Sequence, residues 1–131
     1  MGDALTGLGR YSEAETAYHE SIRRFEKEVG ALHPKLAFAL HGLGTTKLAE
    51  GHANLAVPLL DRALKSRTQP GGDPVLAAET QFALAQALWQ DRRDRPRAVS
   101  LASTARKTFA AQSRPAREKA VASWLDSRSK G

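Results

Sequence analysis

Gly51-His52-Ala53-Asn54-Leu55-Ala56-Val57-Pro58-Leu59-Leu60-Asp61-Arg62-Ala63-Leu64 carries the architecture of this chain in miniature. Within it Ala56, Leu59/Leu60, Ala63 and Leu64 recur near i, i+3/4, i+7, which puts them on one stripe of a helix. The same stripe appears 42 residues to either side. Ala14, Ala56 and Ala98 keep that step, as do Tyr18, Leu60 and Ala102, and Ser21, Ala63 and Ala105. A fixed period between roughly 20 and 50 residues marks stacked copies of one supersecondary unit. Such a unit cannot bury its apolar face alone and needs a neighbour on each side.

Outward from this stretch, helical periodicity dominates. Leu36, Ala39/Leu40, Leu43 and Leu48 form a second stripe, and no segment alternates like a strand. Breaks fall where helical hairpins need them. Gly9-Arg10 and Gly51-His52 suit tight interhelix turns. Pro34 and Pro74 suit the first turn of a helix, Asp73 suits an N-cap, and Gln69-Pro70-Gly71-Gly72 reads as a loop. Arg92-Arg93-Asp94-Arg95-Pro96 makes a longer, charged turn where the preceding repeat uses Gly51, and Arg114-Pro115 starts a last helix. The pattern predicts a helix remnant at about 2–8, then helices near 11–29, 34–50, 53–68, 74–90, 96–112 and 115–127. This is a partial repeat (1–33), two fuller repeats (34–73 and 74–113) and a capping helix with a tail (114–131), in one domain of 1–131.

Composition narrows the chemistry. The chain has 131 residues, no cysteine and a net charge of +6. Without cysteine there is no disulfide frame, thiol nucleophile or Cys-zinc site. No apolar run reaches the roughly 18 residues of a membrane span, and Met1-Gly2-Asp3-Ala4 lacks the layout of a leader, so a cytoplasmic setting is expected. The four histidines, His19, His33, His41 and His52, form no metal-spaced pair. His33 belongs to a linker turn, where capping is its expected task. No nucleophile elbow, phosphate cradle or kinase signature occurs, so neither catalysis nor a cofactor is expected.

The charge is uneven. Residues 1–90 carry 9 Lys/Arg against 10 Asp/Glu, and residues 91–131 carry 11 against 4. A basic end of this kind is either a solvated surface or an attractor of acidic partners.

Particular residues tie the repeat to a known family. Leu43-Gly44 pairs a large and a small residue on the first helix of a hairpin, and Gly51, Ala56, Leu60 and Ala63-Leu64 complete the pattern. Gly9, Tyr11, Ala14, Tyr18 and Ser21 take the matching places before it. Leu84-Ala85, Leu88, Ala98, Ala102 and Ala105 take them after it, with Arg92 or Arg93 where glycine is usual. This resembles the tetratricopeptide repeat. The stretch Glu28-Val29-Gly30-Ala31-Leu32-His33-Pro34-Lys35-Leu36-Ala37 is similar to the linker of its longer variant, typical of kinesin light chains and many bacterial proteins. Residues 78–89, the Arg-rich turn and the closing helix with Trp124-Leu125 look like the C-terminal end of bacterial, notably myxobacterial, serine/threonine protein kinases that carry repeat arrays.

The resemblance implies an all-α, right-handed α-solenoid of tetratricopeptide hairpins with a C-terminal capping helix. Its small residues, Ala14, Gly44, Ala56 and Ala98, let helix backbones approach, and larger ones there overpack the contact by about 1–3 kcal/mol. It also implies a scaffolding module that binds a protein or peptide in a concave groove lined by the first helix of each hairpin. The groove candidates are Phe38, His41, Thr45 and Leu48, then Glu79, Phe82, Gln86 and Trp89, with packing between repeats as the alternative for Phe38, Phe82 and Trp89. Arg92, Arg93, Arg95, Arg97, Arg106 and Lys107 are the basic-surface candidates, for steering an acidic partner. A rival reading adds Arg114, Arg117 and Lys119 and gives this surface to nucleic acid, which the scarcity of interleaved aromatics disfavours. A third is self-association through an N-terminal face on which Tyr18, Ile22 and Phe25 are left partly open. Ala116, Ala120, Val121, Trp124 and Leu125 share one face of the closing helix, as a cap on the last repeat requires.

Overall fold

The computed structural model describes residues 8–28 and 34–130. The expected remnant over 2–7, the linker with His33 and the side chains of Tyr11, Ala14 and Phe25 lie outside the described residues. Six helices follow in order: α1 (Leu8–Glu28), α2 (Pro34–Ala49), α3 (Ala53–Arg67), α4 (Pro74–Gln90), α5 (Arg95–Ala111) and α6 (Pro115–Lys130). No strand occurs among the described residues, and the chain is an all-α helical-repeat protein. Two expected boundaries move. α1 runs through Gly9-Arg10, where a turn was expected. A glycine in a first turn disturbs little, because its N–H has no intrahelical acceptor in any case. α6 continues three residues past its expected end, to Lys130.

Local chemistry explains the other ends. Asp73 caps α4 by accepting a hydrogen bond from the Val75 N–H at 2.8 Å, with Pro74 in the first turn. Asp94 caps α5 through the Arg97 N–H at 3.2 Å. α2, α4 and α5 end in the same way. His52 N–H reaches Lys47 O (2.8 Å) and Gly51 N–H reaches Leu48 O (3.0 Å). Arg93 and Arg92 repeat this pair of bonds to Leu88 and Trp89, and Arg114 and Ser113 repeat it to Phe109 and Ala110. This is the Schellman arrangement, and it puts one residue in the left-handed region. Gly51 takes that place with φ 86°, Arg92 with φ 57° and Ser113 with φ 57°. Arg92, not Arg93, therefore stands where Gly51 does. The α4–α5 turn is one residue longer than the α2–α3 turn. Leu43-Gly44 accordingly recurs after 41 residues as Leu84-Ala85, while Ala56 recurs after 42 as Ala98.

The chain divides into two compact units, residues 1–66 and 67–131. In the first, α1 packs on α2. Ile22, Leu36, Ala39, Leu40, Leu43 and Ala63 form its core, with Tyr18 and Leu59 half-buried against it. Ile22 is therefore buried, not part of an open face. The reason lies in α2: a Cβ at Gly42 would sit 2.5 Å from the Tyr18 hydroxyl oxygen, so the missing side chain makes room for the Tyr18 ring. A Cβ at Gly44 would lie 2.7 Å from Leu60 Cγ and Cδ2, so this glycine seats α3 on α2. In the second unit α4 packs on α5 and α5 on α6. Ala78, Leu84, Ala85, Ala98, Ala102, Ala105, Phe109 and Val121 are buried there.

Candidate functional site

The four groove candidates on α2 share a stripe at i, i+3, i+7, i+10. Phe38 is 66% exposed. His41, Thr45 and Leu48 are half-buried beside it. Thr45 donates its hydroxyl to Gly42 O at 3.0 Å, which turns it along its own helix. The stripe thus offers one bare aromatic ring next to an imidazole, an apolar side chain and a short polar one. That combination takes an apolar anchor and orients it.

The matching stripe on α4 is differently placed. Trp124 of α6 stands edge-on to both Phe82 and Trp89, with ring centroids 5.8 Å apart in each pair. Arg117 of α6 forms an ion pair with Glu79. Gln86 is half-buried between these contacts along the helix. Of the four α4 candidates, three are engaged by α6: Phe82 and Trp89 by Trp124, and Glu79 by Arg117. Edge-to-face geometry places the positive rim of one ring on the negative face of the next and adds to the area buried. Trp124 therefore packs on the last hairpin as a cap.

The basic residues are also partly committed. Arg95 lies over the Trp89 ring at 4.3 Å, Arg93 holds Asp91 at 2.8 Å, and Arg106 faces Glu118 at 3.7 Å. Arg92 and Lys107 are exposed, and Arg97 is half-buried on α5. Arg93, Arg95 and Arg106 are thus each tied to a partner within the second unit.

Two polar constellations have no signature in the sequence. Arg67, at the end of α3, is buried and donates to Thr80 Oγ1 at 2.9 Å, itself buried on α4. The hydroxyl of Thr80 also bonds Leu76 O at 3.2 Å. Burial pushes the Arg67 guanidinium below arginine's ordinary value, against the opposing fields of Glu79 and Asp73. The arrangement ties the loop after α3 to the first turns of α4.

The second constellation joins α1 to the end of α2. Lys47 Nζ lies 3.0 Å from Glu15 Oε1 and 3.7 Å from Glu50 Oε1, and His52 Nδ1 lies 3.7 Å from the same Glu50 oxygen. Hydrogen bonding between the two carboxyl groups, then Lys47, lowers the Glu15 pKa. The same hydrogen bond, with burial, raises that of Glu50. Two adjacent carboxyls cannot both ionise freely, so Glu50 holds its proton longer and Glu15 loses it sooner. Neither constellation was foreseeable: each depends on side chains brought together from two helices.

Among the described residues no group of three or more His, Asp or Glu converges as a metal site. No described helix is long and apolar enough to cross a membrane.

Residues 1–69 match the model of the tetratricopeptide repeat, a stretch that spans α1, α2, α3 and the start of the following loop. No curated protein matches the chain. Repeats of this type generally mediate protein–protein interaction, and the all-helical fold is typically a non-catalytic interaction module. With a match over more than half of the 131 residues and paired helices continuing beyond it, the chain belongs to the tetratricopeptide repeat family.

Proposed function

We propose that this chain is a non-catalytic module that binds a segment of another protein along α2, with Phe38 as the apolar contact and His41, Thr45 and Leu48 around it. The observation that carries this reading is the 66% exposure of Phe38. A large aromatic ring left in water amid a half-buried stripe is a common sign of a contact surface. The α4 stripe is less suited to the role, because Trp124 and Arg117 already occupy Glu79, Phe82 and Trp89. Cations of the second unit add long-range attraction for an acidic partner, which enters as a salt-dependent association rate.

The finer reading keeps the repeat division at residues 1–33, 34–73, 74–113 and 114–131, the longer variant of the repeat, and a cytoplasmic setting. It places the module at the regulatory end of a longer bacterial signalling protein, supported by the likeness of the Arg-rich turn and Trp124-Leu125 to kinase-borne repeat arrays. Nucleic acid is disfavoured by the pairing of Arg93, Arg106 and Arg117 with carboxylates and the stacking of Arg95 on Trp89. Self-association through α1 is disfavoured by the burial of Ile22.

The test is a pull-down from bacterial lysate with the wild-type chain and Phe38→Ser as baits, with and without nuclease, at low and moderate salt. A defined protein kept by the wild type after nuclease and lost by Phe38→Ser is the expected result. Equal retention by both baits, or retention of nucleic acid alone, overturns it.

A further inference from the structure

The second unit carries a recess that the α2 reading does not use. Two cavities of about 280 and 290 Å³ lie along the seam between α5 and α6 and share Ser103, Arg106 and Leu125. One extends to Lys107 and Ala110, the other to Val99 and Ala122. They therefore follow one another along α5. The walls from Val99 to Ala110 cover twelve residues, about 16 Å of helix at about 1.5 Å per step. The two cavities are centred about one turn apart on that length.

The floor is apolar and wet. Val99 is 40% exposed and Leu125 and Ala122 are half-buried. The rim holds cations with unmet demand. Lys107 is exposed and pairs with no carboxylate among the described residues. Arg128 stacks on Trp124 at 4.6 Å, and its buried Nε–H has no acceptor. Arg106 is shared with Glu118 at 3.7 Å, longer than a hydrogen bond.

We propose that the α5–α6 seam is a docking cleft for an acidic amphipathic segment of a partner protein. Two apolar side chains of that segment, about one turn apart, fill the two cavities, and its carboxylates meet Lys107 and Arg128. This is the helix-in-groove mode of recognition, in which neighbouring apolar anchors recur at i and i+3 or i+4. A phosphate backbone has nothing to place on Val99, Ala122 and Leu125. The rim carboxylates of Glu118 and Asp126 oppose a continuous polyanion but leave room for spaced acidic side chains. The site is separate from α2 and stands or falls without it.

The test uses the full 131-residue chain and a fluorescein-labelled helical peptide of about twelve residues, leucine at two positions about four apart and glutamate at most others. Controls are the same peptide with both leucines replaced by serine, its lysine-for-glutamate counterpart, and a labelled single-stranded DNA. Anisotropy titration gives affinity, and amide chemical-shift mapping gives the place. The variants Val99→Glu and Lys107→Glu lie at exposed positions, and circular dichroism checks their fold. The proposal expects saturable binding of the acidic leucine peptide alone, shifts confined to α5 and α6, and a loss of about tenfold or more in each variant, with Phe38→Ser unchanged. Absence of saturation, equal binding by Val99→Glu, shifts on α2 with loss in Phe38→Ser, or tighter binding of the DNA would each overturn it.

Discussion

α2 and α4 hold corresponding places in two successive hairpins, yet they solve the packing problem in opposite ways. On α2 the helix itself gives way: Gly42 admits the Tyr18 ring and Gly44 admits Leu60. On α4 the corresponding positions are Ala83 and Ala85, both buried, and the residue matching Leu60 is Ala102, fully buried on α5. A glycine facing a leucine in one unit is thus replaced by two alanines in the other. The outer stripes differ as well. Phe38 stays in water, while Phe82 and Trp89 are covered by Trp124. Volume can be moved across a helix contact without changing the fold, and a capping helix can silence a stripe that an uncapped hairpin leaves exposed.

The largest effect should come from removing the cap's anchor. Trp124→Ala should cost about 3 kcal/mol, near the low end for a large aromatic because the ring is only half-buried. Urea unfolding measures the loss. Near-ultraviolet circular dichroism should show Trp89 losing its fixed environment, which would make α4 resemble α2. An unchanged unfolding midpoint would mean that α6 does not hold the stripe.

Gly44→Ala tests the exchange of volume. The added methyl meets Leu60 Cγ and Cδ2, so a loss of about 2 kcal/mol is expected from overpacking. In a Leu60→Ala background the same change should cost almost nothing, because the pair then copies Ala85 and Ala102. The coupling between the two changes should reach about 1–2 kcal/mol in a double-mutant cycle. Additive effects would show that the two hairpins pack by different rules.

Arg92→Gly should stabilise the second unit by about 1 kcal/mol, since a left-handed conformation strains any side chain with a Cβ. It brings the α4 end to the state of the α2 end, where Gly51 already stands. A shift of the thermal midpoint is the measure, and a decrease would show that the Arg92 side chain does more than its backbone costs.

The smallest effect concerns pH and the first unit alone. Glu50, with its pKa raised in the folded chain, contributes stability at low pH that is lost as pH rises through the folded value. Glu15, with its pKa lowered, contributes stability above the unfolded value that is lost as pH falls through its folded one. The two slopes oppose each other around the ordinary carboxylate range. Glu50→Gln mimics the protonated group at every pH. Its unfolding midpoint should match or exceed that of the wild type near neutrality and leave the Glu15 slope by itself below. Parallel pH profiles for the two proteins would remove the proposed sharing of a proton.

Much of this organisation is legible in the residues alone. The 42-residue step, the Leu-Gly pair, Asp73-Pro74 and Gly51 specify helices, caps and turns, because each acts through its own backbone and near neighbours. Even Trp124 as a cap follows from the amphipathic pattern of one helix. The proposed contact face is harder to read. Helical spacing placed Phe38 and Phe82 on equivalent stripes, and nothing within either helix separates them.

The residues alone specify the all-α repeat, its turn chemistry and its uneven charge, since these rest on periodicity and local hydrogen bonding. Tertiary contacts alone bury Ile22 and Arg67, seat Tyr18 against Gly42, give Glu79, Phe82 and Trp89 to α6, and bring the half-buried Glu15 and Glu50 together. Each of these depends on a second helix at a distance along the chain, and contact between two helices is set by the shapes of both.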